Sequence, residues 1–319
     1  MLLSIVVPAF NEEDVLPEFH KRLTAEIDTL PLNVEIIYVN DGSTDSTLAV
    51  IKMLKVSDRR VAIIDLSRNF GKEIALTAGF DHLRGDVAIS IDADLQHPPQ
   101  LIPEMVKNWQ EGFDIVYAVR TSRQDEKFVK RMLTKFFYRM FSLVGGDGVS
   151  ENSSDYRLLS RRAIDALIKL REQHRFMKGL SSWIGFSQMS IPYQPDQRYA
   201  GTTKWSYYGL WRLALEAITS FTIMPLKIAS FIGLFTALAA FLYAGIVVFK
   251  KLIYSDPVLG YPSLMVIILF LGGIQLITIG IVGEYLGRVF DETKGRPLYF
   301  LKSYDPPETT NVSDQDNSA

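Results

Sequence analysis

Residues 34–45 read Val34-Glu35-Ile36-Ile37-Tyr38-Val39-Asn40-Asp41-Gly42-Ser43-Thr44-Asp45. The first seven are a β-branched run. Asp41-Gly42 is a turn signal, and Ser43 or Thr44 can cap the helix that follows. A strand that turns into a helix is half of a βαβ unit. Working outward, the pattern repeats. Runs at 2–9, 61–66, 86–92 and 113–119 alternate with helix-like segments at 12–29, 44–57, 71–83 and 99–111, the last opened by Pro98-Pro99. This rhythm predicts an α/β domain with a mostly parallel sheet covered by helices. Such sheets bind ligands outside the carboxyl ends of their strands. The strands run into Pro8-Ala9-Phe10-Asn11-Glu12, Asn40-Asp41-Gly42-Ser43, Asp65-Leu66-Ser67, Asp92-Ala93-Asp94-Leu95-Gln96 and Arg120. Carboxylates and amides gather there, and a purely structural sheet has no reason to place them at one edge.

The chain has 319 residues, room for about two domains. With 22% charged and 48% hydrophobic residues it is not a disordered chain, a collagen or a coiled coil. A net charge of −2 gives no reason to expect a nucleic-acid partner. With no cysteine there is no disulfide, no thiolate zinc site and no cysteine nucleophile. Residues 1–100 carry 9 basic against 16 acidic side chains, and residues 101–227 carry 19 against 12. An acidic part followed by a basic part suggests two jobs.

The apolar excess sits late in the chain. Between Lys227 and Lys250 lie 22 residues without a charge, and between Asp256 and Glu284 another 27. At about 1.5 Å per residue the first stretch spans roughly 33 Å, enough for a bilayer core. Core helices this long rarely lack a charge throughout. A transmembrane hairpin is therefore expected over 225–287, with spans at about 227–250 and 262–284. Met1-Leu2-Leu3-Ser4 has no basic n-region of a signal peptide, so a first domain over 1–204 is expected to stay cytosolic. Lys127, Arg131, Lys135 and Arg139 repeat every four residues among Phe128, Phe136, Phe137 and Phe141. That pattern predicts a basic amphipathic helix on the membrane. Trp205, Tyr207, Tyr208, Trp211 and Phe221 make 205–224 an interfacial helix. A cytosolic tail follows over 288–319, disordered from about 305.

Asp92-x-Asp94 with Gln96 is the strongest chemical motif. Residues alternating at a strand end project to one side. Two carboxylates and an amide oxygen suit Mg²⁺ or Mn²⁺ shared with substrate phosphates. Asp41 and Asp65 are positioned to accept a hydrogen bond from a base N–H, and Lys72 can reach a phosphate. Neither a Walker A nor a G-x-G-x-x-G fingerprint is present.

Together these residues resemble the inverting family 2 glycosyltransferases of GT-A fold. The resemblance runs through Ile5-Val6-Val7-Pro8-Ala9-Phe10-Asn11-Glu12-Glu13, Val39-Asn40-Asp41-Gly42-Ser43-Thr44-Asp45, Arg68-Asn69-Phe70-Gly71-Lys72 and Asp92-Ala93-Asp94-Leu95-Gln96-His97-Pro98-Pro99. The Gln96 version is similar to the branch of dolichol-phosphate mannose synthase. The two-span tail resembles that of bacterial polyprenyl-phosphate glycosyltransferases. Asp155-Tyr156-Arg157 and Arg198-Tyr199-Ala200-Gly201-Thr202-Thr203-Lys204-Trp205 continue it.

The resemblance implies a donor pocket of Pro8, Ala9, Asn11, Glu12, Asp41, Asp65, Lys72, Asp92 and Ala93. Asp92, Asp94 and Gln96 would hold Mg²⁺ or Mn²⁺. Asp155, Arg157, Arg198 and Lys204 would be catalytic, with Asp155 either a base or an orienting residue for Arg157 or Arg198. Lys127, Arg131 and Lys135 would face acceptor and membrane. The implied reaction transfers a sugar, with UDP-glucose the first expectation, to undecaprenyl phosphate with inversion. The implied setting is the bacterial inner membrane, with the catalytic domain cytosolic and a second copy of the chain as partner. A processive polysaccharide synthase would need more spans and usually a Q-x-x-R-W motif. A non-catalytic scaffold would be expected to lose carboxylates at 92, 94 or 155.

Overall fold

The structure, a computed structural model, describes residues 1–121, 153–194, 224–254 and 260–308. The expected helix carrying Lys127, Arg131 and Lys135, the loop with Arg198 and Lys204, and the interfacial segment 205–223 lie outside the described residues. The chain divides into two compact units, Met1–Ala214 with Pro297–Ala319, and Leu215–Arg296.

In the first unit, strands β1 (Leu2–Ala9), β2 (Asn33–Asn40), β3 (Val61–Leu66), β4 (Val87–Ser90) and β5 (Ile115–Arg120) alternate with helices α1 (Leu16–Ile27), α2 (Thr47–Ser57), α3 (Lys72–His82) and α4 (Ile102–Gln110). Three strands not expected from the sequence join them: β6 (Ser153–Ser160), β7 (Gln188–Tyr193) and β8 (Leu301–Asp305). Helices α5 (Arg161–Lys169) and α6 (Met177–Trp183) follow β6. The sheet order is β7-β5-β6-β4-β1-β2-β3-β8. The inner four strands, β4-β1-β2-β3, are parallel, while β6 and β8 flank them antiparallel. The inner strands are apolar on both faces because helices cover both. Leu3, Ile5, Val7, Ile36, Tyr38 and Ile89 are buried in one cluster with Leu16, Phe19 and Leu23 of α1.

β6 lies between β4 and β5 in the sheet. Two local expectations are corrected. The strand expected over 86–92 stops at Ser90, so Asp92–Gln96 is a turn. Neither Ser43 nor Thr44 caps α2, which begins at Thr47; Ser43 Oγ instead accepts the Asn11 N–H at 3.1 Å. Before the point from which the tail is expected to be disordered, a strand joins the sheet: β8 pairs with β3, Lys55 Nζ meets Asp305 Oδ1 at 2.6 Å, and Tyr299 donates to Asp81 at 2.8 Å.

The second unit contains α7 (Met224–Tyr254) and α8 (Tyr261–Thr293). Their apolar segments Pro225–Phe249 and Val266–Thr293 are long enough to cross a membrane, and neither is buried by other parts of the chain. α8 continues past Glu284 for 9 residues, where Arg288 pairs with Glu284 one turn back. A helix of 33 residues is about 50 Å long, more than a hydrocarbon core of roughly 30 Å.

Candidate active site

The carboxyl ends of the inner strands open into a cleft of about 290 Å³. Its wall is β1's exit, Pro8, Ala9, Phe10 and Glu12, facing Asp41, Lys72, Asp92, Ala93 and Asp94. Of the nine expected donor-pocket residues, only Asn11 and Asp65 do not line it. Asn11 adopts φ 56, uncommon for a residue with a side chain, and its Oδ1 accepts the Thr44 N–H at 2.9 Å. It fastens two loops. Asp65 is buried, with Oδ1 accepting from Asn40 Nδ2 at 2.6 Å and Oδ2 3.7 Å from Lys302 Nζ. Phe10, Asn69 and Gly71, to which the sequence reading gives no role, also line the cleft. Phe10 is the readable one, an exposed aromatic directly after a strand.

Asp41 is not the free acceptor that the sequence suggests. Its two oxygens accept the N–H groups of Phe70 and Gly71 at 2.7 and 2.9 Å. Burial raises its pKa, and these two amides oppose the rise. Gly42, at φ 64, lets the 40–43 turn lie against the 68–69 backbone. A Cβ there would sit 2.4 Å from the Arg68 carbonyl carbon. Asp41 and Gly42 together dock the loop that leads into α3 and deliver Lys72 to the cleft.

The Asp92–Gln96 turn alternates in exposure: Asp92, Asp94 and Gln96 are half-buried, Ala93 and Leu95 buried. Leu95 within it takes a left-handed φ of 60. Arg120 Nη2 donates to Gln96 Oε1 at 3.3 Å. His97 joins the expected Asp92 and Asp94 as a further candidate ligand. Ligand atoms of Asp92, Asp94 and His97 all lie within 4.8 Å of one another. His97 is 2% exposed, packed against Tyr156 and Tyr193, and neither ring nitrogen has a hydrogen-bond partner. Burial lowers its pKa, although Asp92 opposes this, so the ring stays neutral with a lone pair to offer. Two carboxylates beside an orphaned imidazole nitrogen form a donor set that fits a divalent cation.

β6 brings in Asp155. The antiparallel register that sets Ser90 opposite Arg157 carries Asp155 past the end of β4, and Ser90 Oγ donates to its carbonyl at 2.7 Å. Lys72 Nζ lies 2.8 Å from both Asp92 Oδ2 and Asp155 Oδ2. Burial pulls the Lys72 pKa down, but Asp155 and Asp92 outweigh it and hold the ammonium above its usual value. Burial pushes Asp155 up, but Lys72, Lys178 and Arg157 outweigh it and keep the carboxyl well below the usual range. Asp155 is therefore an anion locked between lysines, which makes it a weak proton acceptor.

Two further residues of this cluster carry no motif. Lys178 Nζ stands 3.7 Å from Asp155 Oδ1. Glu73 accepts the Met177 N–H at 3.0 Å and so fixes the start of α6. Burial and the Asp155 charge push its pKa up to about 7. Arg157 is buried and gives its guanidinium to the carbonyls of Ser154 and Met177. Its hydrogen bonds support α6 and do not orient the Asp155 carboxylate.

The sequence matches glycosyl transferase family 2 over residues 4–168 and the GtrB C-terminal hairpin over 224–289. It is 47% identical over 299 residues to an uncharacterized glycosyltransferase, sll0501, of Synechocystis sp., covering 94% of both chains. It is 45% identical over 303 residues to a bactoprenol glucosyl transferase of Shigella phage SfX, covering 95% of this chain and 99% of that one. A prophage bactoprenol glucosyl transferase homolog of Escherichia coli is 44% identical, with 95% and 99% covered. The inner strands with their carboxylate cleft and most of the apolar helix pair fall within the two matched regions, and the chain belongs to glycosyl transferase family 2, with the GT-A-type fold and a GtrB-type C-terminal hairpin.

Proposed function

We propose that this glycosyl transferase moves glucose from UDP-glucose to undecaprenyl phosphate, with inversion at the anomeric carbon, at the cytosolic face of the bacterial inner membrane. The observation that carries the reading is near-full-length identity to bactoprenol glucosyl transferases. The cleft supports it chemically. Phe10 offers a face for a nucleobase beside Asp41. Lys72 and the Asp92–Asp94 pair stand where a diphosphate would lie. Asp92, Asp94 and His97 would hold Mg²⁺ or Mn²⁺, which when bound neutralises charge on the leaving diphosphate.

The acceptor oxygen approaches the anomeric carbon from the face opposite the diphosphate, and the departing bond's electrons leave with UDP. A phosphate monoester already carries about −1.5 to −2 charge at neutral pH. Its oxygen therefore needs little deprotonation, and positioning matters more than a base. Asp155, held ionised by Lys72 and Lys178, keeps these cations in place. Arg198 and Lys204 complete the phosphate contacts when their loop closes. Lys127, Arg131 and Lys135 hold the domain to anionic lipid.

Lys227, Arg288, Lys294 and Arg296 favour the cytosol for both ends of the hairpin, against Lys250 and Lys251 at its far end. A second copy is expected to pack on the hairpin. Cβ atoms added at Gly272, Gly273, Gly280 and Gly283 would meet nothing within 4 Å. A donor screen with purified full-length enzyme and undecaprenyl phosphate, reading radiolabelled sugar in extracted lipid, tests the reading. Glucose transfer from UDP-glucose supports it. Label in insoluble polymer, or none in lipid from any nucleotide sugar, overturns it.

A further inference from the structure

Asp155 sits among three cations that differ in how they are engaged. Lys72 is hydrogen-bonded to Asp92 and Asp155. Arg157 is hydrogen-bonded to two backbone carbonyls. Lys178, the second residue of α6, only approaches Asp155 Oδ1, at 3.7 Å, and among the described residues its Nζ makes no hydrogen bond. That oxygen of Asp155 is itself buried with no hydrogen-bond partner. An ammonium with three donors and a carboxylate oxygen thus face each other across a gap too wide for a direct bond. The Lys178 side chain keeps 20% of its surface exposed.

The reaction proposed above brings a dianionic phosphate to a zone that already holds Asp92, Asp94 and Asp155. Like charges at such distances repel strongly where water is scarce. A cation not already committed to a hydrogen bond is what an incoming phosphate requires. The position also suits the chemistry: the two lysines approach different carboxylate oxygens of Asp155, leaving Oδ2 to Lys72 and Oδ1 to Lys178.

We propose that Lys178 binds the phosphate of the acceptor lipid and seats it against Asp155. The inference rests on polyprenyl phosphate being the acceptor. It assigns a binding role to a residue outside every motif, on a short helix anchored by Glu73 and Arg157.

The test uses the full-length enzyme in lipid nanodiscs, with undecaprenyl phosphate and UDP-glucose varied separately. Lys178→Met is expected to raise the acceptor KM at least tenfold with donor KM within twofold, and Lys178→Arg to recover to within threefold of wild type. An acceptor KM within twofold of wild type overturns the proposal, even if kcat falls, since Lys178 would then act only through Asp155. A rise confined to the donor KM also overturns it, by assigning Lys178 to the donor diphosphate. Should Lys178→Met lose UDP binding by calorimetry, and so its fold, wild-type enzyme decides by lysine acetylation read by mass spectrometry. Protection of Lys178 by undecaprenyl phosphate, but not by undecaprenol, supports the proposal; equal labelling overturns it. Wild-type enzyme that transfers to no polyprenyl phosphate would instead defeat the functional reading.

Discussion

Lys72 and Asp155 are joined by a 2.8 Å ion pair that bridges 83 residues of sequence, and the same ammonium also holds Asp92. One lysine therefore ties the expected catalytic carboxylate to Asp92 at the cleft wall.

That pair sets the pH behaviour of Asp155. Its carboxyl is held far below the usual range, so it is ionised across pH 5.5–8.5 and has no titration there. Asp155→Asn is expected to lower kcat strongly, with a wild-type to variant ratio that stays flat over that range. A ratio that collapses towards one as pH rises, once the acceptor phosphate ionises by itself, would restore Asp155 as a base.

Asp94 lines the cleft with Asp92, and ligand atoms of both lie close to those of His97. Asp94→Asn should fold normally, lose most Mn²⁺ binding by calorimetry, and lose nearly all transfer. EDTA should silence the wild type. Full activity in EDTA would remove the cation from the scheme.

Glu73 gives a stability signature. Its pKa is raised in the fold to about 7, from 4.5 when unperturbed. The folded state thus binds a proton more tightly than the unfolded chain, and this stabilisation is lost as pH rises from about 4.5 to 7. Glu73→Gln keeps an acceptor for the Met177 N–H but cannot titrate. The variant should show a flatter melting temperature between pH 5 and 7.5 than wild type, and a higher one at pH 7.5. Parallel curves would refute the assignment.

The strand β8 covers the β3 edge and is fastened by Lys55–Asp305 and Tyr299–Asp81. Truncation after Arg296 should lower the melting temperature of the first unit by on the order of 5–10 °C, the effect of a few kcal/mol on a domain this size. It should also promote edge-to-edge association. An unchanged melting curve would make β8 dispensable.

Glu substitution of Lys127, Arg131 and Lys135 together should weaken activity in anionic vesicles more than in neutral ones, each basic residue contributing about 1 kcal/mol of attraction. Equal effects in both vesicles would assign these residues to packing.

Much of the site was legible because its signals are local. The Asn40-Asp41-Gly42 turn and the Asp92-x-Asp94 pair each follow a strand whose period-two or all-apolar run is visible in a few residues, and parallel strands put their exits on one edge. Ser43 was misread as a helix cap because a tertiary hydrogen bond, from the Asn11 N–H, overrode local preference. His97 passed unnoticed since its role depends on burial against Tyr156 and Tyr193, which come from other strands.

By itself the sequence determined the α/β alternation, the strand exits that carry chemistry, and two charge-free stretches long enough to span a bilayer. All three follow from residue periodicity and composition over short windows. Only the tertiary structure decided that β6 enters between β4 and β5, that β8 returns to the sheet 235 residues after β3, and that Lys72, Asp155 and Lys178 meet. The reason is physical. Strand order and ion pairing across such separations depend on which buried edges and charges find partners in three dimensions, and no window of sequence contains both partners.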